Sequence, residues 1–517
     1  MNERPTAVSL FSGLGGLDIG AHLAGVETLV CVDNNHDAAE TLRINSTAHT
    51  ETPQFGVARF DWQVIEQDIR TLEPQYLCGE VEASASRTAT SDPPVDLVIG
   101  GPPCQSFSRS NEGGRTGTDS DLGQLYERYE TILGDFQPEG FVFENVVGIL
   151  SSKGGEDIKT IKTALSAPRD AAGNQPEHSY NIVSMKLDAA EFGVPQSRER
   201  VFILGVREDI GTPPSKEDVL RTNHPEGWHA AGAALADFTV DAGVAPYQNA
   251  IRSKYAGFLP RIPEGANYQH FSDRRYEDGE YVERSEAELA EKEWDWRSRH
   301  WNYLLKLDPD RPAWTLQAQP GSTVGPFHWR SRPLAFVEQL RLMTIPCWYE
   351  VAGDSTAIQR QIGNAVPPYL GCAVVGALAD ALGIHREPRH LDTPERYTIA
   401  PAPEQHGINK RNTADSPWNE IAELIPQLRS HDSVELEATR EAIPRLVDVL
   451  ELLQFWVENV VIDRVETKAG SRPEPSQSRV YRADTPSPSR IVARISLSAP
   501  DSVGATSRRI AGQVTPD

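Results

Sequence analysis

The sequence predicts an α/β fold built on a doubly wound, mostly parallel, Rossmann-like sheet. In the first third of the chain, short apolar strands alternate with helical stretches, as in sheets assembled from βαβ units. After a long stretch rich in proline, glycine and charge, a helical apolar pattern returns at residues 334–382. We therefore expect an α/β domain that is interrupted by an insertion and completed by the later helices.

The first βαβ unit is predicted close to the N-terminus. Its parts are an apolar strand at residues 8–11, a glycine-rich turn at 12–16, a helix at 17–25 and a second strand at 28–32. Asp33 follows the second strand directly. This order and spacing predict two neighbouring parallel strands.

The remaining elements continue this pattern. Further strands are predicted at residues 96–99, 140–143, 180–183 and 200–206. Helices are predicted at residues 122–136, 334–343 and 369–382. All of these strands belong to one sheet in this interpretation.

These patterns divide the chain into five segments. They are the first part of the α/β domain at residues 1–206, a loop-rich insertion at 207–330, the closing part of the α/β domain at 331–385, a small helical appendage at 386–466 and a disordered tail at 467–517. The appendage is predicted from apolar residues at helical spacing, and the tail from its serine, proline, arginine and aspartate content.

The overall charge restricts the partners of the protein. Among the 517 residues, 50 are lysine or arginine and 74 are aspartate or glutamate, which gives a net charge of −24. This charge opposes binding to polyanions unless cations are concentrated locally. Any nucleic-acid surface must therefore be a segregated positive face.

Other sequence features concern membranes, metals and disulfides. No run approaches the roughly 18 apolar residues of a membrane span, and the N-terminus lacks a secretory pattern, so we expect a cytoplasmic protein without membrane contact. The five cysteines form no CxxC pair, and we expect neither a disulfide framework nor a metal site. They are Cys31, Cys78, Cys104, Cys347 and Cys372.

The turn after the first strand is a candidate cofactor site. Phe11, Gly13 and Gly15 lie in it, and its glycines would let the backbone approach a ligand closely. Asp33 ends the second strand where a ribose hydroxyl pair would be held, and Asp68 could reach an adenine amine. A tight strand-to-helix turn without a ligand is the alternative interpretation.

A second turn presents a candidate nucleophile. Two glycines and two prolines at residues 100–103 form a rigid turn directly before Cys104, at the edge where α/β enzymes place their chemistry. Lone cysteines are more often small core residues, but this one has polar, turn-like neighbours. Residues 109–124 are predicted to form a mobile loop that closes over a substrate.

Three further elements carry polar side chains beside predicted strands. Glu144 ends a buried strand, where a carboxylate either has a raised pKa or binds a donor-bearing ligand; a helix cap or an ion pair is the alternative. Gln196, Arg198 and Arg200 alternate before the next strand, so they share one face and could hold an anion or a carbonyl. Asn364 belongs to a turn that opens the last helix.

Together these five elements, in linear order, strongly resemble the DNA (cytosine-5)-methyltransferases. The resemblance runs from Val8 to about Leu382. The matching motifs are the cofactor turn, Pro-Cys-Gln at Pro103–Gln105, Glu-Asn-Val at Glu144–Val146, Gln-x-Arg-x-Arg at Gln196–Arg200 and Gly-Asn-Ala-Val-Pro at Gly363–Pro367. Each motif is weak alone, and their combination is specific.

The resemblance implies a mechanism. Cys104 would add to C6 of a cytosine flipped out of double-stranded DNA, which makes C5 nucleophilic toward the methyl group of S-adenosylmethionine. Glu144 would bond N3 and the exocyclic amine, while Arg198 and Arg200 would hold O2 and orient Glu144.

The resemblance also implies a cofactor site and partners. Phe11, Gly13 and Gly15 would line the methionine end, Asp33 the ribose, Asp68 and Ile69 the adenine, and Asn364 and Val366 the far wall. No metal is implied. The insertion would read DNA sequence, and a separate restriction endonuclease would be a partner if the enzyme protects host DNA.

This sequence departs from the family at two positions. Asn34 stands where relatives often place a residue that stacks on adenine, and Leu122 where many have an arginine that touches phosphate. A tRNA cytosine-5 methyltransferase, a catalytically silent DNA-binding relative and a Rossmann oxidoreductase are the alternatives. The cysteine turn and paired arginines argue against the last of these.

The implied role of Cys104 can be tested by Cys104→Ala. We expect the variant to lose turnover because no other group supplies the attacking sulfur, while its affinity for S-adenosylmethionine stays near the wild-type value. Methyl transfer from labelled S-adenosylmethionine and calorimetric titration with it measure the two quantities. Turnover retained by a folded variant would contradict the role.

Overall fold

The computed structural model describes most of the predicted α/β region and three strands beyond it. The described residues are 4–46, 60–84, 95–103, 125–222, 229–236, 256–272, 274–277, 280–285, 289, 301–321, 323–346, 349–389, 433–439, 460–468 and 490–497. By its contacts the chain divides into two compact units, residues 1–395 and 396–517.

A seven-stranded sheet forms the centre of the first unit, with strand order β3-β2-β1-β4-β5-β7-β6. Its strands are β1 (Thr6–Leu10), β2 (Glu27–Asp33), β3 (Gln63–Glu66), β4 (Leu97–Gly100), β5 (Gly140–Val146), β6 (Tyr180–Asp188) and β7 (Glu199–Arg207). The first five strands of this order, β3, β2, β1, β4 and β5, pair in parallel with their neighbours. The predicted α/β fold with a doubly wound sheet is confirmed.

The chain changes direction across the sheet at β1. From β1 it proceeds to β2 and β3 on one side, and it then returns to β4 and β5 on the other side. In open α/β sheets, ligands bind outside the carboxyl ends of the strands at such a switch point. The topology therefore directs attention to the ends of β1 and β4.

Strand β7 runs antiparallel to both of its neighbours, β5 and β6. Only a short connection, containing a 3-10 turn at Ala189–Phe192, joins β6 to β7, and a crossover between parallel strands would need a longer one. As a result, the first residues of β7 lie at the edge where the parallel strands end.

Helices cover both faces of the sheet. The α-helices of the first unit are α1 (Gly16–Leu23), α2 (His36–Ile44), α3 (Pro74–Ser84), α4 (Leu125–Phe136), α5 (Glu156–Ser166), α6 (Lys216–Arg221), α7 (Ala231–Leu235), α8 (Phe336–Leu342), α9 (Ser355–Asn364) and α10 (Pro368–Ala381). Val98 packs in the cluster with α4 and α5, whereas Leu97 and Ile99 pack in the cluster with α1 and α10. This alternation is expected of a strand that is buried on both faces.

Helices α1 and α10 pack at very short range because small residues face each other. A Cβ atom on Gly20 would lie 2.8 Å from the backbone of Gly371 and Cys372. Helix α10, which follows the insertion in the chain, therefore packs directly against α1 in one layer.

The predicted insertion contains short elements around an aromatic cluster. Its 3-10 turns at Ala256–Arg261 and Tyr268–Phe271 are followed by a hairpin of β8 (Arg274–Glu277) and β9 (Glu280–Glu283). The side chains of Tyr268, Phe271 and Tyr303 are buried together. A separate target-recognition domain at residues 207–330 stays a prediction.

One stretch, Ser355–Ala381, is long and apolar enough to span a membrane by length and composition. It consists of α9 and α10, with a break between Asn364 and Pro368. Most of its apolar window is buried inside the fold, as in a pair of core helices.

The second unit contains three antiparallel strands in the order β10-β12-β11. They are β10 (Ser433–Thr439), β11 (Val460–Lys468) and β12 (Arg490–Leu497). They correct the predicted helix and disorder for these residues. Valine, leucine and alanine alternate with glutamate in β10, which is a strand pattern that the longer helical window concealed.

The buried carboxyl of Asp18 on α1 affects stability. Cys31 Sγ donates to its Oδ1 at 3.5 Å, and its Oδ2 has no hydrogen-bond partner within the described part of the chain. Burial raises the pKa of Asp18 to about 6, although hydrogen bonds oppose the shift. An ionised Asp18 therefore destabilises the folded state.

We expect Asp18→Asn to stabilise the protein at neutral pH by up to about 3 kcal/mol. Below about pH 4 the carboxyl is protonated in both states and has no effect; between about pH 4 and 6 the unfolded chain ionises first, which favours unfolding. Urea unfolding at pH 4 and pH 7.5 measures the difference. An equal gain at both pH values would contradict this explanation.

Candidate active site

The predicted site residues that the structure describes lie around the carboxyl edge of the sheet. Strands β1 and β2 end there at Leu10 and Asp33, and β4 and β5 end there at Gly100 and Val146. Among the candidate cofactor residues, Phe11, Gly13 and Gly15 follow β1, Asp33 ends β2, and Asp68 and Ile69 follow β3. Of the candidate catalytic residues that the structure describes, Glu144 lies near the end of β5, and Arg198 and Arg200 lie at the start of β7. The two groups therefore flank the switch point.

The turn after β1 has a left-handed backbone at three positions. Phe11, Gly13 and Gly15 have φ angles of 58°, 55° and 85°. A Cβ on Gly13 would meet no atom nearer than 4.0 Å, so open space lies beside this glycine. The backbone is thus exposed to an approaching ligand at Gly13.

The carboxylate of Asp33 fixes this turn to the end of β2. Its Oδ2 accepts a hydrogen bond from the Gly13 amide, and its Oδ1 accepts one from the Asn35 amide, both at 2.8 Å. Burial raises the pKa of Asp33, while the amide hydrogen bonds act against this shift. Each carboxylate oxygen keeps acceptor capacity, which suits a pair of ribose hydroxyls.

Asp68 and Ile69 lie after β3, next to the end of β2. Ile69 is buried in the core. The Asp68 carboxylate accepts two-pronged hydrogen bonds from Arg70, including one of 2.6 Å from Nη2, and this interaction lowers its pKa. Asp68 is thus ionised, and an adenine amine would share it with Arg70.

The Gly-Asn-Ala-Val-Pro segment lies against the start of α1. A Cβ on Gly16 would come within 2.2 Å of the Val366 carbonyl oxygen, so only glycine permits this approach. Asn364 ends α9 and is exposed. Val366 therefore borders the turn that follows β1.

Tyr349 holds the cofactor turn from the closing part of the domain. Its buried hydroxyl donates to the Leu14 carbonyl at 2.6 Å. A Cβ on Gly15 would lie 2.9 Å from the same hydroxyl and 3.3 Å from Trp62. Tyr349 was not predicted as a site residue, because its partner is 335 positions away in the chain.

The second turn is anchored by β5. Asn145 Nδ2 donates to the Pro102 carbonyl at 3.2 Å, and both groups are buried. Cys104 lies outside the described residues, as does the predicted loop at 109–124. The structure thus describes the turn only as far as Pro103, one residue before the candidate nucleophile.

Glu144 is buried under this turn. A Cβ on Gly101 would lie 2.6 Å from Glu144 Oε2, so the absence of a side chain lets the turn close over the carboxyl. Neither the role of Gly101 nor that of Asn145 was predicted, although both residues belong to the quoted motifs.

Arg200 is the charged neighbour of Glu144. Val146 is opposite Arg200 in the antiparallel pair, which places Glu144 diagonally from Arg200 on the same face. Arg200 Nε lies 2.9 Å from Glu144 Oε1, and both side chains are almost fully buried. Burial raises the pKa of Glu144, and Arg200 and Arg198 oppose the shift.

Arg198 has a different environment from Arg200. It is fully buried, and its Nη1 and Nη2 donate to the carbonyls of Leu316 and Gly363 at 3.2 and 2.6 Å. Gln196 Nε2 donates to the Leu342 carbonyl at 3.3 Å, and its Oε1 accepts from the Leu316 amide. Each side chain therefore binds backbone at Leu316, near the end of the insertion, and at one residue of the closing part.

The family model for the C-5 cytosine-specific DNA methylase matches residues 6–380. The chain belongs to this family. The resemblance found in the sequence is confirmed, and the protein is a DNA (cytosine-5)-methyltransferase.

Curated relatives agree with this assignment. The methylase is 34% identical over 426 residues to the Type II methyltransferase M.SacI of Streptomyces achromogenes, covering 74% of this chain and 95% of that protein. It is 31% identical over 373 residues to M.NgoFVII of Neisseria gonorrhoeae, covering 71% and 84%. The solved S. pombe Dnmt2 methyltransferase aligns with a TM-score of 0.47 and 17% identity, covering 74% of this chain and 100% of that chain. DNA methylation by this family implies S-adenosylmethionine as the methyl donor.

Three arginines of the insertion, which could otherwise contribute to a positive DNA-binding face, interact with neighbouring side chains in this methylase. Arg274 lies 2.9 Å from Glu283, Arg275 lies 3.1 Å from Glu277, and Arg261 stacks over the Phe271 ring. Five further cations of the insertion lie outside the described residues, namely Arg252, Lys254, Lys292, Arg297 and Arg299. Among the described residues, no group of three or more potential ligands could hold a metal ion.

Tyr349→Phe tests the anchor of the cofactor turn in this methylase. Loss of the hydroxyl leaves the Leu14 carbonyl without this donor, and we expect the KM for S-adenosylmethionine to rise by roughly 5- to 30-fold, equivalent to about 1–2 kcal/mol. The kcat at saturating cofactor should change little. Initial rates across cofactor concentrations separate the two parameters.

The exposed Tyr76 on α3, whose hydroxyl bonds to Glu80, supplies a matched control, since Tyr76→Phe removes a hydroxyl that lies outside the turn. It should leave both parameters unchanged. A fall in kcat with an unchanged KM in Tyr349→Phe would show that the hydroxyl does not act through the cofactor turn.

Proposed function

We propose that the enzyme methylates C5 of a cytosine that is flipped out of a specific double-stranded DNA sequence, through a covalent bond between Cys104 and C6. The observation that carries this proposal is the buried Glu144, which lies beside Arg200 and under the turn that leads to Cys104. A flipped base is required because a stacked cytosine exposes neither face to a sulfur nucleophile.

The residues around the first turn fit S-adenosylmethionine. Asp33 would accept the ribose hydroxyls, Asp68 and Ile69 would bind the adenine, and Phe11, Gly13 and Gly15 would line the methionine end. Asn364 and Val366 would form the far wall. When bound, S-adenosylmethionine supplies a methyl group on a sulfonium sulfur. The open space beside Gly13 and the acceptor capacity of Asp33 support this assignment.

Cys104 acts as the nucleophile. Its thiolate adds to C6, the C5–C6 electron pair moves toward C5, and N3 takes up a proton. C5 then forms its bond to the methyl carbon, whose former bonding pair stays on the donor sulfur. Loss of the C5 proton to solvent and of the N3 proton restores the aromatic ring and expels the thiolate.

Glu144 stabilises the electron-rich ring. Its raised pKa favours the neutral carboxyl, whose O–H can donate to N3 while its second oxygen accepts from the exocyclic amine. Arg200 would bind the O2 atom and hold Glu144 in place. Arg198 acts indirectly, because its guanidinium is engaged by two backbone carbonyls.

The biological setting follows from the relatives. Type II methyltransferases protect host DNA from a cognate endonuclease, and we propose the same prokaryotic, cytoplasmic role here, with the endonuclease as a separate chain. The family description names DNA, which favours DNA over the tRNA alternative. Labelled S-adenosylmethionine offered with plasmid DNA or tRNA should label only the plasmid; label on tRNA alone would overturn the proposal.

The covalent step has its own experiment. The methylated sequence is first identified by sequencing host DNA with and without the enzyme. A duplex with 5-fluorocytosine at the target should then trap an adduct at Cys104, because the C5 fluorine cannot leave as a proton does. Product formation on normal DNA without any adduct at Cys104 would disprove the step.

Glu144→Gln tests the neutral carboxyl. We expect the single-turnover rate to fall by about 10²- to 10⁴-fold, since the amide cannot transfer a proton to N3. The wild-type rate should also decline as rising pH ionises Glu144, and the residual rate of the variant should lack this decline. Single-turnover rates measured across the pH range in which the enzyme stays folded detect both effects.

Glu139 precedes the opposite end of β5 and provides the control. Glu139→Gln makes the same chemical change far from the site and should leave the rate and its pH profile unaltered. Identical pH profiles for wild type and Glu144→Gln would contradict the assigned role.

A further inference from the structure

Two tryptophans form an exposed aromatic pair. Trp301 is 52% exposed and Trp314 is 43% exposed, and their ring centroids lie 4.9 Å apart with the rings nearly perpendicular. The other large exposed apolar side chains in the described ranges are Tyr76, Leu150 and Val282. Within the described ranges, none of those three side chains forms such a ring pair, so the tryptophan pair, Trp301 with Trp314, is distinct.

Trp314 is fixed next to the strand that carries the catalytic arginines. The Ala313 amide donates to the Pro195 carbonyl, and the Ser197 amide donates to the Ala313 carbonyl, both at 2.8 Å. Thr315 Oγ1 donates to the Ser197 carbonyl at 2.7 Å. Residues on both sides of Trp314 are thus bonded to the segment that leads directly into β7 and Arg200.

Trp301 is held by the insertion. Its carbonyl accepts a hydrogen bond of 2.6 Å from Asn267 Nδ2. Tyr303, two residues later, is buried and lies in edge contact with Tyr268, with centroids 5.8 Å apart. The two tryptophans therefore join the aromatic cluster of the insertion to the catalytic edge, and ordered backbone supports each.

The size of the exposed surface limits its occupant. An aromatic side chain can bury about 150–250 Å², and roughly half of each ring system is exposed here, so the pair offers on the order of 200 Å². A stable protein interface needs about 800 Å² from each partner, which is far more. One nucleobase face stacked on an aromatic ring matches the available area.

We propose that the tryptophan pair stacks on a base of the substrate DNA that neighbours the flipped cytosine. The inference rests on the proposed flipping: when the target leaves the helix, its neighbours lose a stacking partner, and an aromatic surface beside the catalytic edge replaces it. Stacking needs no base-specific hydrogen bonds, so the pair contributes to affinity and to positioning more than to sequence reading.

Binding of a duplex containing the target sequence tests the proposal. Trp314→Ala and Trp301→Ala should each weaken binding by about 5- to 100-fold in the presence of S-adenosylhomocysteine, as measured by fluorescence anisotropy. Trp314→Phe should retain most of the affinity because it keeps a ring face. Trp314→Leu keeps apolar bulk without that face, and it should behave as the alanine variant does.

Tyr76→Ala is the matched control, since it removes another half-exposed aromatic ring at a distance from the site. It should bind DNA as wild type does. Unchanged affinity in both tryptophan-to-alanine variants, or equal losses in Tyr76→Ala, would overturn the proposal. Recovery of wild-type affinity in Trp314→Leu would also overturn it, because packing and not stacking would then explain the loss.

The DNA side provides a double-mutant cycle. Each base that flanks the target pair is replaced in turn by an abasic site. One replacement should weaken wild-type binding and have little further effect on Trp314→Ala, since the same contact is already lost. Additive losses at every position would overturn the stacking contact.

The adduct with 5-fluorocytosine separates this inference from the proposed function. At saturating DNA, both tryptophan-to-alanine variants should still form the Cys104 adduct. Adduct formation by wild type together with unaltered DNA binding by the variants would reject the tryptophan contact alone. Absence of the adduct from wild type itself would reject the covalent mechanism.

Discussion

The active-site arrangement depends on a carboxyl group buried at the end of a central strand. Burying the Glu144 carboxyl costs free energy, and Arg200, 2.9 Å away, lowers that cost when the carboxyl is ionised. Gly101 leaves the space that the carboxyl occupies. Arg200 reaches this edge because β7 runs antiparallel and therefore begins where β5 ends. The reversed strand is thus what brings a cation and a carboxyl together beside the turn that precedes Cys104.

Chain segments far apart in sequence complete the cofactor half. The hydroxyl of Tyr349 and the carbonyl of Val366 both contact the turn that begins α1, and the close packing of α1 with α10 fixes the two layers. Arg198 adds a second connection, since its guanidinium binds the carbonyls of Leu316 and Gly363, which precede and follow α8 in the chain. A displaced closing segment would therefore disturb the cofactor turn and the catalytic edge together.

Local patterns predicted some elements better than others. The strands at β1, β2, β4 and β5 were predicted because their apolar runs are framed by glycine or polar residues. Strand β3 was not, since Gln63–Glu66 contains only two apolar residues. In the second unit, a helical segment was predicted where β10 and β11 form. A pattern judged over many residues hides the short alternation of apolar and polar residues that is typical of a strand.

The sequence by itself determined the sheet class, the order of the motifs and the family, because each motif combines turn-forming residues with a reactive or charged side chain in a few consecutive positions. Only the tertiary structure decided that Arg200 pairs with Glu144, that Asn145 anchors Pro102 and that Tyr349 holds Leu14. These contacts join residues from different strands and segments. Side-chain direction and long-range packing set them, and neither is encoded in local spacing.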